Sequence, residues 1–224
     1  DAVDGERDDL QLEPLLGART RAILPVHVYG RLCDTDAISR VAARHGVPVI
    51  YDAAHAFGAA RGGAEAGAAG DAAMFSFHAT KVFHTIEGGA VACRTRETYE
   101  ALCLERNFGI TSPDDVPGVG GNAKMNEFQA AMGLCCLRRV DADIARRGEI
   151  EAIYRARLSG LRGLMLLPEQ PDVRANHAYF PVFFPAGMPA RESISSMAGI
   201  GARVRVSTTK SRYCSGRKHF WRAS

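Results

Sequence analysis

The sequence has no apolar run long enough to span a bilayer. Its opening, Asp1 to Asp9, is acidic and polar rather than a basic stretch followed by an apolar one, so it does not read as a secretory signal. Together these two absences lead to the expectation of a cytoplasmic protein without a membrane partner. No C-x-x-C pair occurs among Cys33, Cys93, Cys103, Cys135, Cys136 and Cys214, which leaves a zinc knuckle or a thioredoxin-type motif unsupported. Scattered thiols of this kind are expected to act as small hydrophobes rather than as disulfides, and no metal site is expected. No G-x-x-x-x-G-K-[ST] loop is present, which disfavours nucleotide hydrolysis.

Acidic residues are also missing from one region. After Glu192 there is none, while Arg203, Arg205, Lys210, Arg212, Arg217, Lys218 and Arg222 follow. The net charge of +3 therefore misrepresents the body of the chain, where 21 basic residues face 25 acidic ones. A basic tail can bind nucleic acid. This one has no strand or helix period and no interleaved aromatics, so a nucleic-acid partner is not expected, and residues 203–224 read as an anomalous tail.

What is present is a globular balance of 46% hydrophobic and 24% charged residues over 224 positions, enough for one large core or a large domain and part of another. Arg21–Val28 reads as a buried strand. A helix is expected from a cap at Asp34 to about His45, closed by Gly46. Strands are expected at Val47–Tyr51, Asp71–Phe77 and Gly89–Arg94, and a helix at Thr95–Glu105. Residues 107–122 form a long Gly-, Pro- and Asp-rich loop. Helices follow at Lys124–Arg138 and Asp141–Leu161, the first carrying Met125, Phe128, Met132 and Cys135 as a core-facing stripe. A strand at His177–Phe184 and a helix at Arg191–Gly199 complete the pattern. Strands alternating with helices imply an α/β fold with a mainly parallel sheet flanked by helices, in which ligands sit at the carboxyl ends of strands. Residues 1–160 are expected to form part of a large cofactor-binding domain, and 161–202 the start of a small one.

Chemistry concentrates at two strand ends. Lys81 follows Ser76-Phe77-His78-Ala79-Thr80 and faces Glu87-Gly88-Gly89. A lysine in a partly dry cleft loses its proton more readily, and the neutral amine can form a Schiff base with an aldehyde. A lysine on a loop is also commonly a solvated charge. Asp52, in Asp52-Ala53-Ala54-His55-Ala56-Phe57-Gly58, can pair with a protonated pyridine nitrogen or simply cap a turn. His55 beside it has the alternative of packing in the core.

These stretches, together with Pro25-Val26-His27-Val28-Tyr29-Gly30, Gly70-Asp71 and Gly121-Asn122-Ala123-Lys124-Met125-Asn126-Glu127-Phe128-Gln129, stand in the order found in the DegT/DnrJ/EryC1/StrS family. The chain resembles those pyridoxal-phosphate-dependent sugar aminotransferases over about residues 10 to 200. The resemblance implies an aspartate-aminotransferase-like fold of type I. It implies Lys81 as the Schiff-base lysine and proton shuttle, Asp52 on the pyridine nitrogen and His55 on the ring hydroxyl. Ser76 would bind the cofactor phosphate, and Asn122 would reach the phosphate of a neighbouring subunit's cofactor in a homodimer. Lysine at 81, rather than the histidine of the family's dehydratases, implies transamination. The amino group would pass from glutamate to a nucleoside-diphosphate keto sugar, of the 4-keto-6-deoxy class. His78, His84 and Glu87 are expected either on the sugar side or as hairpin residues behind it. Family members also carry a segment ahead of the first residue here, with a phosphate-binding hydroxyl and a stacking aromatic. The chain is therefore expected to be a fragment, incomplete at both ends and poorly stable alone. The competing expectation is a truncated remnant without catalysis.

Overall fold

The computed structural model describes residues 12–183. The expected helix at 191–199, the basic tail and the acidic start lie outside the described residues, as does Phe184.

Helix α1, Thr35–His45, forms where the sequence places its signals. The Asp34 carboxylate accepts the Ala37 N–H at 2.9 Å, and Gly46 closes the helix in the left-handed conformation at φ 61°. Ala37, Ile38, Val41 and Ala42 share one face and are buried. That face packs with Ile23, Leu32, Val49, Tyr51, Ala53, Ala56, Ala59, Ala66 and Ala73 into the main core. The many alanines let helix and strands approach closely, and burying such apolar surface contributes about 25 cal/mol per Å².

The central sheet runs β1 (Ile50–Asp52), β4 (Ala72–Ser76), β5 (Gly89–Cys93). Strands β1 and β4 are parallel, with Asp52 opposite Met74, and β5 returns antiparallel, with Gly89 opposite Ser76. A second small sheet contains β2 (Ala60–Arg61), β3 (Ala64–Glu65) and β7 (Val173–Arg174), and β6 (Met165–Leu166) pairs with β8 (Val182–Phe183). Helices α2 (Arg96–Arg106), α3 (Glu127–Leu137) and α4 (Val140–Leu158) complete the element order. No helix among the described residues is long and apolar enough to cross a membrane.

Three expectations need correction. The strand expected at Arg21–Val28 is reduced to two parallel bridges, Ile23 to Val49 and Val26 to Asp52, followed by a 3₁₀ turn at Val28–Gly30. The ladder bonds around it are present: Ile23 N to Pro48 O, Ile50 N to Ile23 O, Asp52 N to Pro25 O and His27 N to Asp52 O. The missing rung is the one Pro25 would donate, because proline has no N–H. The strand expected at His177–Phe184 is limited to Val182–Phe183 within the described residues. The stripe on α3 is not core. Of its members Phe128 is 85% exposed, Met125 and Cys135 are exposed, and Met132 is half-buried; Leu134 and Leu137 beside them are exposed too. What α3 buries is Gly133, set against Thr85 and Phe83. Its start also moves to Glu127, because Asn126 and Gln129 form a reciprocal capping box. The described cysteines form no disulfide; four are half-buried and Cys135 is exposed.

Candidate active site

Parallel pairing of β1 and β4 brings their carboxyl ends to the same edge of the sheet. Asp52 ends β1. Its backbone is held on both sides, by Asp52 N to Pro25 O and by His27 N to Asp52 O, and Ala53 N donates to Met74 O. Oδ1 accepts the Ala54 N–H at 3.0 Å, so the half-buried carboxylate has a fixed direction. Oδ2 accepts no hydrogen bond among the described residues.

Ser76 ends β4, two residues past the level of Asp52. Its Oγ lies 3.5 Å from His78 N, too long to occupy the hydroxyl. The chain then turns, with Lys81 N donating to His78 O. Lys81 is half-buried. Its turn is anchored from below by an aromatic cluster. Phe83 is 4% exposed, stacks on Phe57 at 4.5 Å and meets Phe77 edge-to-face at 4.7 Å. Phe57 also meets Phe75 and Phe77 edge-to-face. Thr85, 2% exposed, donates its N–H to Phe77 O and its hydroxyl to Glu87 O, and Phe77 N closes the loop on Gly88 O. Gly88 is required there, since a Cβ would sit 2.2 Å from Thr85 Oγ1.

His55 follows β1 by three residues. Its Nδ1 lies 3.2 Å from the Tyr29 backbone N, which can only donate. Its ring is tilted against Tyr179 at 4.6 Å. The imidazole is pushed below its ordinary pKa, chiefly by burial, then by the positive charge of Lys81, with Asp52 opposing. Lys81 and Asp52 thus both act electrostatically on His55. Asp52 and Ser76 end neighbouring parallel strands, and His55 and Lys81 lie in the turns that follow them. Asn122 stands apart in the exposed loop before α3, where Lys124 Nζ donates to its Oδ1 at 2.8 Å. Of the residues expected on the sugar side, His78 and Glu87 face each other across the Lys81 turn at 3.5 Å. His84 instead reaches toward Cys136 on α3.

Two residues carried no usable signal in the sequence. Asn176, 1% exposed, donates Nδ2 to His55 O and Phe57 O, both at 2.8 Å, and so fixes the turn that carries His55. A lone asparagine in a Pro- and Asp-rich stretch reads as a turn residue. His27, also 1% exposed, stacks on Tyr51 at 4.8 Å beneath the end of β1. Burial, with Arg61 adding and Asp52 opposing, lowers its pKa to about 4.

Lys81, Asp52, His55 and Ser76 together offer an amine, a carboxylate, an imidazole and a hydroxyl on one edge. That set fits an aromatic aldehyde carrying a ring nitrogen, a ring hydroxyl and a phosphate. Comparison with known proteins bears on the same residues. The profile described as the DegT/DnrJ/EryC1/StrS aminotransferase family matches residues 1–209. A dTDP-4-amino-4,6-dideoxy-D-glucose transaminase of Shigella dysenteriae is 37% identical over 179 residues, covering 80% of this chain and 49% of the relative. A GDP-perosamine synthase of Caulobacter vibrioides is 40% identical over 164 residues, covering 72% and 44% respectively. Among solved structures, S. venezuelae DesV in complex with a ketimine intermediate superimposes with a TM-score of 0.77 at 36% identity, over 84% of this chain and 50% of that one. The likeness carries the aminotransferase fold of type I. The chain spans about half the length of the relatives it matches.

Proposed function

The chain belongs to the DegT/DnrJ/EryC1/StrS aminotransferase family, and from that premise we propose that it carries the cofactor-binding half of a pyridoxal-phosphate-dependent transaminase for nucleotide-linked keto sugars. The observation that supports the reading is that Asp52 and Ser76 end the neighbouring parallel strands β1 and β4, with His55 and Lys81 in the turns that follow them. When bound, the cofactor supplies an electron-accepting ring that makes the substrate's amine-bearing carbon acidic. Lys81 would hold the cofactor through its amine and, once released by the substrate's amine, would take the proton from the substrate's amine-bearing carbon, a positioned acid–base role worth about 10²–10⁴ in rate. Asp52 would hold the protonated ring nitrogen, since its Oδ2 accepts no hydrogen bond among the described residues; His55 would donate to the ring oxygen, and Ser76 would bind the phosphate.

The relatives' names support the substrate class. They print 4-amino-4,6-dideoxy sugars on dTDP and UDP, a 3-amino-3,4,6-trideoxy sugar on dTDP, and perosamine on GDP. The 4-keto-6-deoxy class is the reading for this chain, with glutamate as amino donor. Asn122 serves a second subunit's cofactor phosphate in a homodimer. Two features favour that pairing: Asn122 is exposed, and it leads into α3, whose Phe128, Leu134 and Leu137 are exposed apolar groups.

The test is chemical. The full chain is mixed with pyridoxal phosphate, reduced with borohydride and mapped by peptide mass. Label confined to Lys81, and lost in Lys81→Ala, is the expected result. Label spread evenly over Lys81, Lys124 and Lys210 would instead support a remnant that binds no cofactor.

A further inference from the structure

The segment Asn176–Tyr179 and the strained turn at Tyr29 converge on one imidazole. Tyr29 has φ 60° and ψ 15°, a left-handed conformation that costs a residue with a side chain on the order of 1 kcal/mol or more. Such an outlier persists only where its surroundings hold it. Here the strained peptide aims the Tyr29 N–H at His55 Nδ1, 3.2 Å away. The next residue is Gly30, at φ 80°, where a Cβ would lie 2.6 Å from Asn176 Oδ1 and 2.8 Å from His55 O. Asn176 therefore fits only because position 30 has no side chain. Its amide is fully committed. Nδ2 donates to the carbonyls of His55 and Phe57, and Oδ1 accepts the Ala178 N–H at 3.1 Å. That arrangement admits one orientation of the amide, since a flip would set donors against Ala178 N–H and an acceptor against two carbonyls. Beyond it, the Tyr179 ring closes on the imidazole at 4.6 Å and on the Tyr29 ring at 5.9 Å.

Three contacts thus hold His55. Asn176 fixes its backbone, Tyr179 its ring plane, and the Tyr29 amide its tautomer. A nitrogen that accepts an N–H carries no hydrogen itself, so in the neutral ring the hydrogen is on Nε2. We propose that Tyr29, Asn176 and Tyr179 are positioning residues that lock His55 as the Nε2–H tautomer, a fixed neutral donor for the ring oxygen of the cofactor. The donor role rests on the reading of the site above; the tautomer lock does not. The groups that face the imidazole are Lys81, Asp52, Tyr29 and Tyr179. Lys81 reinforces the lock, because its charge opposes a second proton on the ring, and Asp52 works weakly against it. A ring that kept both hydrogens would bring its own positive charge to the site beside that of Lys81.

The lock is read without cofactor, by ¹⁵N NMR of the full chain labelled at histidine. His55 is expected to show a pyridine-like Nδ1, a pyrrole-like Nε2 and a titration midpoint below 6.5. Tyr179→Phe, which keeps the ring, is expected to leave the signals in place. Tyr179→Ala is expected to mix the tautomers and raise the midpoint. A hydrogen on Nδ1 or a midpoint at or above 6.5 in the wild-type chain would overturn the proposal, as would a Tyr179→Ala spectrum identical to wild type. The wild-type spectrum decides the matter even if Tyr179→Ala fails to fold. The donor role is read separately, from the pH midpoint of the visible band of chain loaded with pyridoxal phosphate. His55→Phe is expected to raise that midpoint by about one unit, the size of one hydrogen bond to a charged oxygen, and His55→Gln to restore it. No difference between the two variants would remove the donor role. Failure of Lys81 labelling alongside an intact NMR pattern would bring down the cofactor reading instead.

Discussion

Acidification should weaken this fold through His27 in particular. The imidazole lies under the end of β1, 1% exposed, with Nδ1 accepting the Cys33 N–H at 3.2 Å and its face on Tyr51. The neutral ring therefore carries its hydrogen on Nε2, which finds no partner among the described residues. A second proton would have to enter at Nδ1, against the Cys33 N–H that points there. Burial is the main cause that lowers the pKa to about 4 from the ordinary 6.5; Arg61 adds to it and Asp52 opposes it. The unfolded chain consequently binds this proton more readily than the folded one. Stability from the neutral histidine is complete above pH 6.5 and drains as pH falls toward 4. At 1.36 kcal/mol per unit, the whole effect is about 3 kcal/mol, and about 2 kcal/mol is lost by pH 5. For a chain of this size that corresponds to a fall in Tm of about 4–8 °C. Many groups titrate over the same range, so the measurement is a difference between variants. In His27→Asn the amide oxygen can still accept the Cys33 N–H, but the side chain no longer titrates. Denaturant unfolding of both proteins at pH 7.5 and pH 5 should show the wild type losing about 2 kcal/mol more than the variant. Equal losses would mean that His27 is not held neutral by burial, and the reasoning would fail.

Two further outcomes concern the loop and the exposed helix. Gly88→Ala should lower stability by about 2 kcal/mol or more, because the new Cβ meets a Thr85 hydroxyl already committed to Glu87 O. Denaturant titration reads the loss, and borohydride labelling of Lys81 should fall with it. Phe128→Asp, at a position 85% exposed, should leave the unfolding free energy of the monomer within about 0.5 kcal/mol. In sedimentation it should shift any dimer of the full chain toward monomer, and an unchanged sedimentation profile would remove α3 from the interface.

The parts of the fold that local chemistry dictates were legible from the residues. Asp34 and Gly46 bracket α1 because a side-chain acceptor and a left-handed glycine each satisfy backbone groups that no helix satisfies for itself. Strands β1, β4 and β5 follow from short apolar runs that end in polar residues. The misreadings have two causes: a ladder rung lost to proline, and apolar periodicity that reports a face without reporting what covers it. Residues 21–28 look like a strand by composition, yet a single proline removes the rung that would have made the ladder regular. The stripe expected along α3 looks like core, yet Met125, Phe128 and Cys135 lie open and only Met132 is half-buried.

The site divides along the same line. Lys81, Asp52, His55 and Ser76 are singled out by the order of motifs shared with the family, and the structure sets each at or just past a strand end. What the order could not give is the support behind them. Asn176 is 121 residues from His55 in sequence, and the bond between them depends on Gly30, a third distant point. A contact of that kind leaves no local pattern, because its parts are meaningful only once the chain has closed on itself. The left-handed Tyr29 makes the same point from the energetic side. A strained tyrosine is unfavourable in any isolated peptide, and is stable here because its amide meets an imidazole nitrogen while its ring meets Tyr179. The residues proposed to carry the chemistry are therefore readable one by one, whereas the residues proposed to aim them are readable only as an assembled set.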